Sequence, residues 1–339
     1  SAPCSPCASR AARSSASRSW LWRASPALWI ATLLLTPLVG SQRVAAADIL
    51  RGDPTVAAIF WQLRLPRILL ALLGGAALAV SGLGFQTLFR NALAEPYTLG
   101  ISSGAALGAV LALRLQGGSF LGLSIVALAS FAGALGATAL IVGLALRRQG
   151  IQTSTLLLAG VAVSLSCSAI ILFLQYLSDS TQTFRMVRWM MGGLSVVGYS
   201  EVLWLLPWVL GGSAALFALR WELNLLLTGE ELAASRGVDL ARLRRLVLLA
   251  TSLMIGALVA VAGPIGFVGL IVPHMLRRLV GHDHLFLVPA CMLGGGAFLT
   301  LCDAVGRTVM APAELPVGIL TALLGGPFFL WLLVWRRRE

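Results

Sequence analysis

Long apolar stretches alternate with short polar ones along most of the chain. Most apolar stretches are at least ~18 residues long, which is the length that predicts a membrane-spanning helix. The pattern predicts ten spans, at approximately residues 20–40, 66–88, 97–115, 119–146, 153–177, 200–219, 246–262, 265–280, 285–305 and 316–335. Because a helix satisfies its own backbone hydrogen bonds in hydrocarbon, and because the runs do not alternate as barrel strands do, the predicted fold is an all-α integral membrane bundle.

The region around the first apolar stretch leaves two questions open. Residues 1–19 are rich in Ser, Ala and Arg and are predicted to be a disordered tail, so that residues 20–339 form one transmembrane domain. Residues 45–48 (Ala-Ala-Ala-Asp) are similar to a signal-peptidase site, so the first stretch could be either cleaved or retained. Cys4 and Cys7 form a single C-x-x-C pair, which is half of a zinc site, and their role stays open.

Composition supports the membrane prediction and limits the chemistry. Hydrophobic residues make up 58% of the chain and charged residues 11%, against about 25% charged in a soluble domain. All 25 basic residues are Arg, and most fall in segments that face the cytoplasm if both termini are cytoplasmic. A phosphate-binding P-loop requires Lys, so any ATP hydrolysis that drives this protein must take place in another subunit.

Two glycine patterns are typical of transporters. The motif Gly-Ala-x-x-Ala-Val-x-Gly occurs at residues 75–82 and again at 256–263, five spans later, which would give an inverted repeat. Helix breaks are predicted at Gly-Gly-Pro 325–327 and at Gly263, Pro264, Gly266 and Pro273. Broken helices at membrane depth occur only where protein or a water-filled cavity surrounds them.

The longest polar stretch between predicted spans ends with residues 228–245. Thr228 and Glu231 have the spacing of a capping box, and Gly237 fits the position after a helix C-terminus. A second short helix is predicted to begin at Asp239. Two capped helices favour a docking handle for a partner over the alternative of a solvated loop.

Several stretches resemble the permease subunits of the iron-chelate and vitamin B12 ABC importers, the FecCD-like type II importers. The resemblance covers about residues 20–335. The stretches that carry it are 64–67 (Arg-Leu-Pro-Arg), 74–79, 89–96, 99–108, 229–237, 263–274 (from Gly-Pro-Ile-Gly to Val-Pro-His) and 314–318 (Glu-Leu-Pro-Val-Gly).

This resemblance implies a retained first span, an inverted-repeat fold and a function. The chain would form the translocation pathway for an iron chelate (siderophore or haem) across a bacterial inner membrane. Cobalamin is the alternative cargo, since residues 188–193 are similar to the vitamin B12 permease. The implied partners are ABC ATPase subunits, a periplasmic substrate-binding protein and a second permease copy in a homodimer. No cofactor is expected in the chain itself, because ATP and Mg belong to the ATPase.

The resemblance also assigns roles to individual residues. The ATPase contacts would be Glu230, Glu231, Ala234, Arg236 and Gly237. Thr153 and Ser154 would form the cytoplasmic gate, and the arginines that dock the binding protein would be Arg64, Arg67 and Arg307. No catalytic or metal-ligating residue is expected.

Two other classes of protein fit the sequence less well. An ion-coupled secondary transporter should carry carboxylates near mid-span, whereas Asp303 and Glu314 lie near predicted span ends. An intramembrane enzyme is disfavoured because the chain has no H-E-x-x-H or G-x-S-x-G motif. Haem ligation by His274, His282 or His284 is also disfavoured.

Overall fold

The computed structural model describes residues 54–95, 97, 100–115, 119–120, 123–146 and 153–335. The predicted tail at 1–19, the first predicted span at 20–40, and Cys4 and Cys7 lie outside these residues. The possible cleavage site at 45–48 lies outside them as well.

Helices make up nearly all of the described chain. Two strands of two residues each, β1 (Ser119–Phe120) and β2 (Leu123–Ser124), pair in antiparallel orientation. The helices are α1 (Pro54–Ala58), which continues through a π-helical turn at Ile59–Arg64 into α2 (Leu65–Leu88), then α3 (Ile101–Arg114), α4 (Ile125–Leu146), α5 (Thr153–Tyr176), α6 (Ser180–Met190), α7 (Ser200–Ala218), α8 (Arg220–Leu227), α9 (Glu230–Ser235), α10 (Leu240–Ala262), α11 (Val268–Val280), α12 (His284–Val309) and α13 (Val317–Trp335).

The nine predicted spans within the described residues each coincide with a helix. Among the described helices, six are long and apolar enough to cross a membrane: the one containing α2, and α4, α5, α7, α10 and α12. By contrast, α3 and α11 have 14 and 13 residues, or about 20 Å of helix against about 30 Å of hydrocarbon. The short helix α6 is not among the predicted elements, because its composition is amphipathic rather than apolar.

Helix α2 is the centre of the bundle. In the continuous helix that contains it, 89% of the most apolar 18-residue stretch is buried. Helix α2 packs against α7, α10, α11 and α12. Near its start, Arg67 contacts Asp303 close to the end of α12, and near its end Thr87 contacts His284 at the start of α12. The two helices are therefore antiparallel. We call the two ends of the bundle the Arg67 end and the His284 end.

Glycines allow α2 to approach its neighbours closely. A Cβ atom on Gly75 would collide with the backbone of Gly295 in α12, and one on Gly82 would collide with the backbone of Gly269 in α11. Small residues at helix crossings are the usual basis of close packing in membranes, where the hydrophobic effect does not draw helices together.

The predicted break at Gly263, Pro264 and Gly266 is present. Helix α10 ends at Ala262, and Gly263 follows it with a positive φ of 67°. Phe267 also has a positive φ, 68°, and precedes α11. The chain therefore leaves one helix and begins another inside the bundle.

The predicted breaks at Pro273 and at 325–327 are wrong. Pro273 lies inside the continuous helix α11, and Pro327 lies inside α13. Pro273 deprives the Gly269 carbonyl, four residues earlier, of its helical donor. Gln86 of α2 replaces that donor, since its Nε2 atom donates to Gly269 O at 3.0 Å.

Candidate functional site

The polar segment at the His284 end is built from α8, α9 and the start of α10. Helix α9 has only six residues, and Gly229, with a φ of 130°, precedes it without a side-chain cap. The Thr228 hydroxyl donates instead to Leu225 O at 2.7 Å. The predicted capping box with Glu231 is therefore wrong, because the Thr228 side chain completes the preceding helix rather than starting the next.

The end of α9 agrees with the prediction. Gly237 has a φ of 87°, its N–H donates to Ala234 O at 2.9 Å, and the N–H of Val238 donates to Ala233 O at 3.1 Å. This is the Schellman pattern that Gly favours after a helix. The predicted second short helix at 239–245 is wrong, because Asp239 caps α10, which continues from Leu240 to Ala262 without interruption.

Helix α9 is held to the bundle by one side and exposed on the other. Ala233 is fully buried, and Glu230 forms an ion pair with Arg244 of α10 at 2.6 Å. The exposed residues of the segment include four of the predicted ATPase contacts: Glu231, Ala234, Arg236 and Gly237. The fifth, Glu230, is half-buried by its pairing with α10.

The Arg67 end carries a cluster of charged side chains. Arg67 donates from Nε and Nη2 to Asp303, with its shortest contact at 2.9 Å, and from Nη1 to Glu314 at 2.7 Å. Arg307 contacts the same Asp303 one helical turn away at 3.0 Å. Asp303 is only 2% exposed, so two arginines neutralise a buried carboxylate, whereas Glu314 is 41% exposed.

Arg64 adds positive charge to this cluster. It is 7% exposed and lies in the π-helical turn that precedes α2, close enough to Arg307 to interact with it electrostatically. The three arginines predicted to dock a binding protein therefore lie together, beside two carboxylates of the same chain. Their docking role stays a prediction, and the structure adds that Arg67 and Arg307 already have intramolecular acidic partners.

A cavity of about 530 Å³ opens beside the cluster. Its walls include Arg67, Glu314 and the exposed Arg188, together with apolar side chains and the backbone of Gly192 and Gly193. Gly193 donates its N–H to Ala262 O at 2.8 Å, at the last residue of α10. The cavity is thus adjacent to the broken helix.

Glu95, which is not among the predicted site residues, supports the start of α11. It is 7% exposed, and its Oε1 atom accepts a hydrogen bond from the Phe267 N–H at 2.7 Å. A carboxylate at a helix N-terminus is favourable because the first N–H groups of a helix have no partners within it. Sequence reasoning could have found Glu95 as an acidic residue between two apolar spans.

The remaining predicted residues are located but not tested. Thr153 and Ser154 are the first two residues of α5. Among the residues that the structure describes, no group of three or more His, Cys, Asp or Glu side chains could hold a metal ion. His284, disfavoured above as a haem ligand, is buried, and its ring forms hydrogen bonds with side chains of two other helices.

These features define an integral membrane transport protein. Span-length helices surround a buried central helix, a helix is broken inside the bundle, one end carries an exposed polar segment, and the other carries a charged cavity. A family model described as the FecCD transport family matches residues 28–335. The chain belongs to the FecCD family, and it is the permease subunit of an ABC importer rather than an enzyme.

Individual relatives agree with this assignment. The vitamin B12 import system permease proteins BtuC of Salmonella arizonae and Salmonella typhi are each 42% identical over 317 residues, covering 93% of this chain and 94% of the relative. A solved structure described as an inward-facing conformation of a metal-chelate type ABC transporter has a TM-score of 0.85 and 35% identity, covering 94% of this chain and 99% of that one. The prediction of an importer permease is confirmed, and the secondary-transporter alternative is wrong.

Proposed function

We propose that the cargo of this importer is cobalamin and that an iron chelate is the second candidate. The observation that carries this order is the 42% identity to vitamin B12 permeases over nearly the whole chain. The sequence alone favoured the reverse order. A metal chelate of either kind is consistent with the 35% identical structure, whose description names a metal-chelate transporter.

The proposed partners are a separate ATPase, a substrate-binding protein and a second copy of the permease. The ATPase would bind at the His284 end, which we place in the cytoplasm together with both chain termini. Glu231, Ala234, Arg236 and Gly237 support this, because all four are exposed on or just after a short helix that ends in a Schellman motif. Thr153 and Ser154 are proposed to gate the pathway at the same end, where α5 begins.

The binding protein would dock at the Arg67 end. Arg64, Arg67 and Arg307 exceed the adjacent carboxylates Asp303 and Glu314 by one charge. The arginines are largely buried, but their excess charge lies beside the open cavity and favours the approach of acidic side chains of a partner.

The coupling site is tested by reversing the charge at Glu231. The permease is co-expressed with its candidate ATPase, and both co-purification and ATP hydrolysis in nanodiscs are measured for wild type and Glu231→Arg. We expect the variant to lose ATPase association or hydrolysis. The matched control is Glu201→Arg at the first turn of α7, at the opposite end of the bundle, which should behave as wild type.

The cargo is tested separately in bacterial cells that lack their own vitamin B12 permease. Uptake of radiolabelled cobalamin and of a radiolabelled ferric siderophore is compared with and without the chain and its cognate partners. Uptake of cobalamin alone supports the proposal. Uptake of the iron chelate alone would reverse the order of the two candidates, and energisation by an ion gradient without any ATPase would refute both.

A further inference from the structure

Three helices meet at one buried histidine at the His284 end. His284 is the first residue of α12 and is 1% exposed. Its Nε2 atom lies 2.9 Å from Thr87 Oγ1 of α2, and its Nδ1 atom lies 2.6 Å from Asn224 Oδ1 of α8. The imidazole ring therefore joins α2 by hydrogen bonds to α8, the short helix that leads into α9, in addition to the apolar packing between α2 and α8.

The hydrogen bonds of this junction have a consistent direction. Asn224 Oδ1 can only accept, and it also receives the His284 backbone N–H at 3.0 Å, while Asn224 Nδ2 donates to Asp283 Oδ1 at 2.9 Å. In a neutral ring, Nδ1 is then the protonated nitrogen and Nε2 accepts from the Thr87 hydroxyl. Every polar group of the ring has a partner, which makes a buried network of this kind rigid.

The alternative side-chain route from α9 to the bundle is weaker. Besides the buried Ala233, helix α9 contacts α10 through the Glu230–Arg244 pair, in which the side chains are 39% and 12% exposed. Such a partly exposed pair contributes modestly, because water screens it and two long side chains must be ordered. Helix α8, by contrast, ends at Leu227, close before Glu230, so α8 and α9 are closely linked.

We propose that His284 is a positioning residue that couples the ATPase contact at α9 to the transport pathway. The chain Thr87–His284–Asn224 transmits a displacement of α8 and α9 to α2 and α12, the packed centre of the permease. This inference rests on the proposed role of α9 as the ATPase contact. It assigns the transmission to the buried Thr87–His284–Asn224 network rather than to the partly exposed Glu230–Arg244 pair.

Substitutions can separate the two arms of the junction, which are the hydrogen bond from His284 to Thr87 of α2 and the one from His284 to Asn224 of α8. His284→Asn keeps a donor that reaches Asn224 but removes the acceptor for Thr87, and the nearly isosteric Thr87→Val breaks the same arm from the other side. His284→Leu removes both arms. Thr300→Val is the matched control, because Thr300 is equally buried on α12 but donates only to Gly296 O of its own helix.

The first measurement is amide hydrogen exchange of the permease alone in nanodiscs. In His284→Leu the α8 amides should exchange roughly tenfold faster, because a buried hydrogen-bond partner is lost. In His284→Asn and Thr87→Val they should stay within about threefold of wild type. Unchanged α8 exchange in His284→Leu would overturn the proposal, and this result does not depend on any ATPase.

The second measurement is the amount of cargo transported per ATP hydrolysed by the complete importer. It should fall about three- to tenfold in His284→Leu, His284→Asn and Thr87→Val, and remain unchanged in Thr300→Val. Wild-type values in Thr87→Val and His284→Asn would show that the α2 arm transmits nothing. If wild type itself bound no ATPase, the proposed function would fail while the exchange result would still decide the junction.

Discussion

Gln86→Met removes a side-chain donor from a carbonyl that α11 cannot satisfy by itself. Pro273 has no backbone N–H, so Gly269 O depends on Gln86 Nε2, which lies 3.0 Å away in a residue that is 2% exposed. The substitution keeps a flexible side chain of similar length in the space, so the main change is the lost hydrogen bond.

The expected magnitude follows from two opposing effects. Leaving a buried carbonyl without a donor costs about 1–3 kcal/mol. Within the described part of the chain, however, Gln86 Oε1 has no hydrogen-bond partner, so its removal returns part of that cost. We therefore expect Gln86→Met to lower the free energy of unfolding by about 1 kcal/mol.

A double-mutant cycle with Pro273→Ala isolates the interaction. The alanine introduced by this substitution supplies a backbone N–H to Gly269 O, so Gln86→Met should be neutral or slightly stabilising in that background. The effect of Gln86 Oε1 is the same in both backgrounds and cancels, which leaves an interaction energy of about 1–3 kcal/mol.

The four proteins are compared by circular dichroism as the SDS fraction of mixed micelles is raised. Pro289→Ala is the matched control, since Pro289 lies inside α12 and its missing N–H concerns Leu285 O rather than Gly269 O. Gln86→Met and Pro289→Ala should be additive. If Gln86→Met and Pro273→Ala are also additive within about 0.3 kcal/mol, the proposed compensation does not exist.

Three further substitutions test the packing and the charges. Gly82→Val should prevent stable folding, seen as loss of monodisperse protein in detergent, because its Cβ would collide with α11, whereas Gly136→Val, with open space at its Cβ, should be tolerated. Gly237→Ala should destabilise the end of α9 by about 1 kcal/mol and speed amide exchange there, because a φ of 87° is strained for a residue with a side chain. Asp303→Asn should lower the free energy of unfolding by about 3–5 kcal/mol, against at most about 1 for the exposed Glu314→Gln, and equal effects would contradict the burial argument.

Local signals were sufficient for most of the predicted elements. The positions of the spans followed from runs of apolar residues, because the membrane imposes a length and a composition on each helix separately. The break at Gly263 and the end of α9 at Gly237 were also predictable, because Gly in the sequence marks positions where a positive φ is possible without strain. The structure has a positive φ at both.

The failures have two physical causes. A distant partner can override a local signal, and a neighbouring helix can use the same residue in another way. Pro273 does not end α11 because Gln86, 183 positions before Gly269, supplies the missing donor. Thr228 does not cap α9 because its hydroxyl is used by the preceding helix. Asp239 does cap a helix, but α10 continues far beyond Arg245 rather than forming a separate short segment.

The sequence by itself determined an all-α membrane bundle with a helix break at 263–266 and an exposed polar segment at 228–245, because apolar length, Gly and Pro act over a few residues. The permease function came from the resemblance of several stretches to a known family. Only the tertiary structure decided which polar side chains meet. It paired Arg67 with Asp303 and joined Thr87, His284 and Asn224, and these contacts depend on antiparallel packing of helices far apart in the chain. Such contacts leave no periodic signal in the sequence, since each partner on its own is only an isolated polar residue in or beside an apolar helix.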